Sequence, residues 1–288
     1  MAQADNNQEF CREKVLRSNP LFRVSHLFTP ADLAGQVLAL HALFASIDQL
    51  NSEIGDEFVA RRKLDWWRTE LSPENISKSN HPVVRYLIET GAASSLPGKS
   101  FELFLDTAEV RLAAQAPTDQ EELSLLCELI YQPRIIMECA LSQDGTPGFN
   151  VGEMAQTGGL LQLIRESNAS KNNALWWVPL NVLARFGVTR AGLGSDPDSQ
   201  NARGVFEAVF ENCNKLKSQP AISGQQNMAP SRGLVHLHVL ALLQSRQLEQ
   251  LRKIEPSSYC EELNRWRFAD LLAAWNAARR MKLNSVAA

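Results

Sequence analysis

The sequence predicts an all-α fold organised as a single domain. Apolar residues recur at three- and four-residue steps along most of the chain. Recognisable start and stop residues bracket these runs, and no segment alternates convincingly with period two. With 288 residues and 44% hydrophobic content, there is enough apolar surface for one large core.

The elements follow in order. Residues 1–20 form a polar N-terminal segment, and one helical domain is expected over 21–288. Thr29-Pro30 reads as a helix start, with Val37, Leu40, Phe44 and Ile47 on one face. From Asp56, Phe58, Leu64, Trp67 and Leu71 mark a second helix, ended by Ser72-Pro73. His81-Pro82 opens a third, Phe101 to Ala114 is a fourth, and Asp119 to Leu141 is a fifth, with Pro133 predicting a kink or break. Residues 144–148 form a loop, and Val151 to Ser167 is helical again. Trp176 to Pro179 reads as extended or irregular, and a short helix from Pro179 to Phe186 is closed by Gly187. Turn formers predict loops over Gly194 to Asn201 and Gln219 to Pro230. Helices over Leu234 to Ile254 and Tyr259 to Met281 complete the pattern, and the short connections favour one bundle over two domains.

Charge and cysteine usage narrow the function. The formal net charge is -3 and no long basic run occurs, which argues against a nucleic-acid partner. The start MAQADNNQEF lacks the basic-then-apolar order of a signal peptide, and no apolar run reaches the ~18 residues of a membrane span. Cys11, Cys127, Cys139, Cys213 and Cys260 are scattered without a C-x-x-C pair, so a cytoplasmic, reducing setting is expected. Peripheral contact with the inner face of a membrane stays open.

Two stretches carry a resemblance. The first runs from Pro30 to Leu71 and contains Lys63-Leu64-Asp65-Trp66-Trp67-Arg68. The second runs from Gly158 to Val188, with Arg165-Glu166, Trp177-Val178-Pro179 and Arg185-Phe186-Gly187-Val188. Together they resemble the two signatures of the squalene/phytoene synthase family. The resemblance implies an isoprenoid-synthase-type helical bundle around a central cavity. It also implies head-to-head condensation of two isoprenoid diphosphates, such as farnesyl or geranylgeranyl diphosphate. Magnesium ions held by two aspartate-rich motifs would neutralise the leaving diphosphate.

Registered on that pattern, the motifs are eroded. Asp48 takes the first aspartate position and Ser52 the last, while Glu53 points about 100° away around the helix. Glu166 takes an aspartate position beside Arg165, and Ser170 stands where the second carboxylate belongs. A hydroxyl is a neutral and weaker magnesium ligand than a carboxylate. The candidate substrate-binding residues are Asp48, Asn51, Gln162, Arg165 and Glu166, with Asp48 and Glu166 as candidate magnesium ligands. The plainer reading of each stands beside this: a polar helix end for Asp48, and an ion pair with Arg165 for Glu166.

The tryptophans at 66, 67, 176 and 177 fit either a lipid tunnel or a core, and helical spacing favours the core. His236 and His238, two residues apart on a helix, diverge and do not suit one metal. A nicotinamide-dependent second step has no separate signature. The expected function is a family member that is catalytically impaired or non-catalytic. Such a protein would bind a lipid or a partner, in the manner of relatives that assist assembly of respiratory complex I. The alternatives are an active magnesium-dependent transferase and a plain interaction module with a filled core. Asp48 and Glu166 facing each other at an apolar tunnel would favour the transferase.

Overall fold

The computed structural model describes residues 2–52, 56–113, 115–142, 149–169, 175–217 and 232–286. Among the described residues the regular structure is helical throughout, with no strand. The first half contains α1 (Ala2–Ser18), α2 (Pro20–Ser25), α3 (Ala34–Ser52), α4 (Glu57–Glu70), α5 (Pro82–Glu89), α6 (Ala92–Ser95), α7 (Ser100–Leu112) and α8 (Gln120–Leu141). The second contains α9 (Val151–Ala169), α10 (Leu180–Phe186), α11 (Arg190–Ser195), α12 (Gln200–Lys217), α13 (Val235–Leu251), α14 (Tyr259–Leu263) and α15 (Phe268–Val286).

Local chemistry sets many of the ends. The Asp56 carboxylate accepts from the Phe58 and Val59 amides, and Asp119 does the same for Glu121 and Glu122. His81 Nδ1 accepts from the Val83 amide at 3.3 Å, just before Pro82. Gly187 closes α10 at φ 63°, a left-handed conformation that glycine adopts without strain.

Four expectations differ from the structure. Thr29 does not cap α3; its hydroxyl lies 3.3 Å from His26 Nδ1 at the end of a 3-10 turn, and α3 begins at Ala34. Of the kink or break expected at Pro133, the break does not occur: α8 runs continuously through it and packs against α7 and α9. The loop expected from Gly194 to Asn201 overlaps the end of α11 and the start of α12. The last helix is split in two: α14 ends at Leu263, where the Asn264 backbone and side-chain amides both donate to the Cys260 carbonyl. The loops over 144–148 and Gln219–Pro230 lie outside the described residues.

The buried apolar residues form two clusters. One gathers α1, α3, α4, α5 and α7 around Leu40, Leu43, Phe44 and Phe104. The other gathers α8, α9, α10, α12 and α13 around Ile130, Leu160, Trp177 and Leu237. The polar N-terminal segment is thus a helix whose Cys11 and Val15 are buried in the first cluster. Gly159 lets α9 approach α8 closely, since a Cβ there would lie 2.3 Å from the Cys127 carbonyl oxygen. Between the clusters runs a seam of buried charged side chains, and the cavity opens along it.

Candidate functional site: a charged cavity between the two cores

Three helices present stripes of side chains at helical spacing to a cavity of about 430 Å³. From α3 come His41, Phe44, Ala45 and Asp48; from α8, Tyr131, Arg134 and Glu138; from α9, Gly158, Gln162, Arg165 and Glu166. Gly158 faces the Tyr131 ring so tightly that any side chain at 158 would overlap it. Apolar residues of both clusters, including Leu21, Leu161 and Leu263, line the rest.

At one end of the cavity, Asp48 and Glu166 come together through an arginine. Arg111 Nη1, from α7, lies 2.9 Å from Asp48 Oδ1 and 2.5 Å from Glu166 Oε1. Arg134 grips Asp48 bidentately, with Nη1 2.8 Å from Oδ2 and Nη2 2.5 Å from Oδ1. Gln162 Nε2 donates to Glu166 Oε1 at 2.9 Å. Arg134 is further held over the Phe44, Phe104 and Tyr131 rings at 5.4 to 5.5 Å.

The two acids titrate in opposite directions. Burial works against charge on Asp48, but the Arg134 and Arg111 guanidiniums outweigh it and hold its carboxyl below the usual range. Burial raises Glu166 instead; Arg111 opposes that rise, and the neighbouring Asp48 charge reinforces it. Arg165 has no ion-pair partner among the described residues, its Nε is buried without a hydrogen-bond partner, and burial lowers its pKa. Arg111 Nε and Nη2 and Arg134 Nε are likewise buried without acceptors. Of these, Arg134 and Arg165 line the cavity, so two guanidiniums carry unfilled donors on this wall, which suits an anion.

A second buried charge lies one turn along α8 from Arg134. Glu138 sits between two histidines, 3.1 Å from His41 Nε2 and 3.1 Å from His236 Nε2. Burial pushes its carboxyl up, and the two histidines overcome this and bring it down to about 2. His238 turns away from His236 and packs edge-on to Phe149, at 4.7 Å between ring centres.

Of the sequence candidates, Asp48, Gln162, Arg165 and Glu166 all line this cavity. Glu166 pairs with Arg111 rather than with its neighbour Arg165. The side chains of Asn51 and Ser52, and Ser170 as a whole, lie outside what is described. None of the four tryptophans at 66, 67, 176 and 177 is among the cavity residues; Trp177 is fully buried and donates to Ser167 Oγ at 2.5 Å. Sequence reasoning missed Arg111 and Arg134. Their signal was available, since each lies on the apolar face of its helix, Arg111 with Phe104 and Ala108, Arg134 with Ile130 and Tyr131.

Comparison with known proteins agrees with this architecture. The Squalene/phytoene synthase family profile matches residues 17–256. No curated protein matches the chain. Among solved structures, the chain is similar to a dehydrosqualene synthase in complex with ligand. The TM-score is 0.67 at 13% identity, covering 100% of this chain and 99% of the other. It is also similar to the squalene synthase HpnC from Alicyclobacillus acidocaldarius, with TM-score 0.57, 16% identity and coverage of 98% and 95%. At these identities the likeness speaks for the fold, and the profile match over most of the chain decides membership. The chain belongs to the squalene/phytoene synthase family.

Proposed function

We propose that this chain is a non-catalytic or catalytically impaired family member whose cavity binds an anionic lipid or a partner segment. One observation carries the reading: Arg111 Nη1 occupies the space between Asp48 and Glu166 and bonds to both. A departing diphosphate must be neutralised, and magnesium does so as a Lewis acid held by free carboxylates. Here Asp48 is committed to two guanidiniums, and Glu166 Oε1 is taken by Arg111 and Gln162. That donor set does not fit a magnesium ion. Binding one would require breaking buried ion pairs and leaving Arg111 uncompensated.

The same wall suits an anionic headgroup held by fixed guanidiniums without a metal. Arg165, half-buried in the cavity wall and without an ion-pair partner among the described residues, is the side chain best placed to hold it. The resemblance to the complex I assembly branch supports the partner-binding form of this reading. The competing reading, a magnesium-dependent transferase, draws support from Asp48 and Glu166 meeting at one cavity.

Incubation of the pure protein with farnesyl or geranylgeranyl diphosphate and magnesium separates the two. No released diphosphate and no condensed hydrocarbon are expected. Release that Asp48→Ala abolishes would establish the transferase instead.

A further inference from the structure

Outside the cavity, the strongest unpartnered feature is the outer face of α15. Phe268, Leu272 and Trp275 lie at steps of four and three residues, so they form one stripe. They are 65%, 48% and 51% exposed, and Trp266, just before the helix, is 50% exposed. The adjoining face of α15, roughly a quarter turn round the helix, is spent on the core through the buried Ala274 and Ala278. An apolar stripe of this size on the outside of a helix calls for a covering surface.

Its charge says what that surface is. Between Asn264 and Lys282 the sequence has Arg265, Arg267, Arg279, Arg280 and Lys282 against a single acid, Asp270, in a chain whose net charge is -3. Asp270 is already engaged by Arg246 at 3.2 Å, and Arg267 by Glu262 at 2.7 Å. The Arg279 guanidinium stacks over Trp275 at 5.4 Å, placing a cation on the aromatic stripe itself. Exposed aromatic residues flanked by arginines match the boundary between lipid headgroups and acyl chains. The exposed apolar strip on α7 and α8 has a different character. Leu103, Val110, Leu129 and Ile136 share those helices with the exposed acids Glu102, Asp106 and Glu109, the last two paired with Arg68 and Arg61. The cations on α7 and α8, Arg111 and Arg134, are buried, so the strip offers an anionic surface no cation of its own.

Position adds a reason. Cys260, Leu263 and Asn264 line the cavity, and Trp266 and Phe268 follow directly in the chain. We propose that the outer face of α15, with the Trp266 turn before it, docks the protein on an anionic lipid membrane beside the cavity. No described helix is long and apolar enough to cross a membrane, so the contact is superficial. This inference is independent of whether the cavity is catalytic.

Co-sedimentation of the full chain with vesicles tests it. Vesicles of phosphatidylcholine and phosphatidylglycerol in equal parts are expected to carry the protein down, and high salt to release it. Vesicles of phosphatidylcholine alone are expected to leave it in solution. Phe268→Glu with Trp275→Glu should abolish binding. Arg279→Ala with Arg280→Ala should weaken it by about fivefold per arginine. Leu129→Glu with Ile136→Glu, on the acidic strip, should change nothing. Circular dichroism checks that each variant stays folded, as expected for exposed positions. Failure of the native protein to bind anionic vesicles, or unaltered binding by the α15 variants, would overturn the proposal. So would self-association that Trp275→Glu abolishes in a protein that ignores lipid, since the stripe would then be covered by a second copy.

Discussion

Arg111 Nη1 lies 2.5 Å from Glu166 Oε1, and the same nitrogen reaches Asp48 Oδ1 at 2.9 Å. A single cationic atom from α7 thus joins α3 to α9. The acids that the family resemblance marks as magnesium ligands are neutralised from within the chain. Arg134 adds a second cation to Asp48. The arrangement is stable only as a set, because removing one member leaves a buried charge without its counterpart.

Replacing Arg111 with methionine keeps the volume and removes the charge. Asp48 and Glu166 then share a buried site with one cation fewer. A loss of about 3–5 kcal/mol in stability is expected, read from urea unfolding midpoints. Millimolar magnesium should restore part of that loss in the variant and leave the native protein unchanged. Equal magnesium effects on both would argue against Arg111 as the occupant of a cation position.

Acid should unfold the protein in two stages. His26 and His238 are both lowered to about 4 by burial first and by neighbouring histidines second. The unfolded chain takes up those protons below its ordinary value of 6.5, so stability falls as pH drops from 6.5 towards 4. Glu138, depressed from 4.5 to about 2, contributes stability that is complete above 4.5 and lost as pH falls towards 2. Unfolding midpoints measured across this range should show both stages. In Glu138→Gln the lower stage should shrink while the upper one remains.

Gly159 sets the distance between α8 and α9. Gly159→Ala would drive a methyl group into the Cys127 backbone, which cannot rotate away. Destabilisation of about 3 kcal/mol or more is expected from thermal or urea unfolding. The Arg134–Asp48 and Arg111–Glu166 pairs should suffer with it, because α8 and α9 carry one partner of each.

Trp177 tests the division between core and cavity. It is fully buried and bonded to Ser167 rather than facing the cavity. Trp177→Phe should cost about 2 kcal/mol through lost packing and one hydrogen bond, as measured by unfolding. Affinity for any cavity ligand should stay within about twofold, well inside a 1.4 kcal/mol change.

Most helices were legible because their apolar spacing and their ends agree. Asp56, His81, Asp119 and Gly187 all act as the sequence suggests. What escaped was decided by side-chain competition. Thr29 turns to His26, and Asn264 folds its side chain back onto the Cys260 carbonyl at the end of α14. The helix α12 carries its signal in Ala202, Val205, Phe206, Val209 and Phe210, all buried. The polar turn formers ahead of it obscured where it begins.

The site was half legible. Spacing alone puts Gln162, Arg165 and Glu166 on one face of α9, and erosion of the aspartate motifs was visible as Ser52 and Ser170. The cations that pair with Asp48 come from α7 and α8, 63 and 86 residues from it in the chain. No local pattern connects them to it. An arginine on the apolar face of an amphipathic helix is the trace such a pair leaves in sequence, because a buried guanidinium needs a buried anion.

Calorimetric titration of magnesium into the native protein, without substrate, addresses the arginine-for-metal substitution most directly. Heats of dilution alone are expected, because Arg111 and Arg134 already hold the carboxylates. Saturable uptake of magnesium that Asp48→Asn abolishes would contradict it.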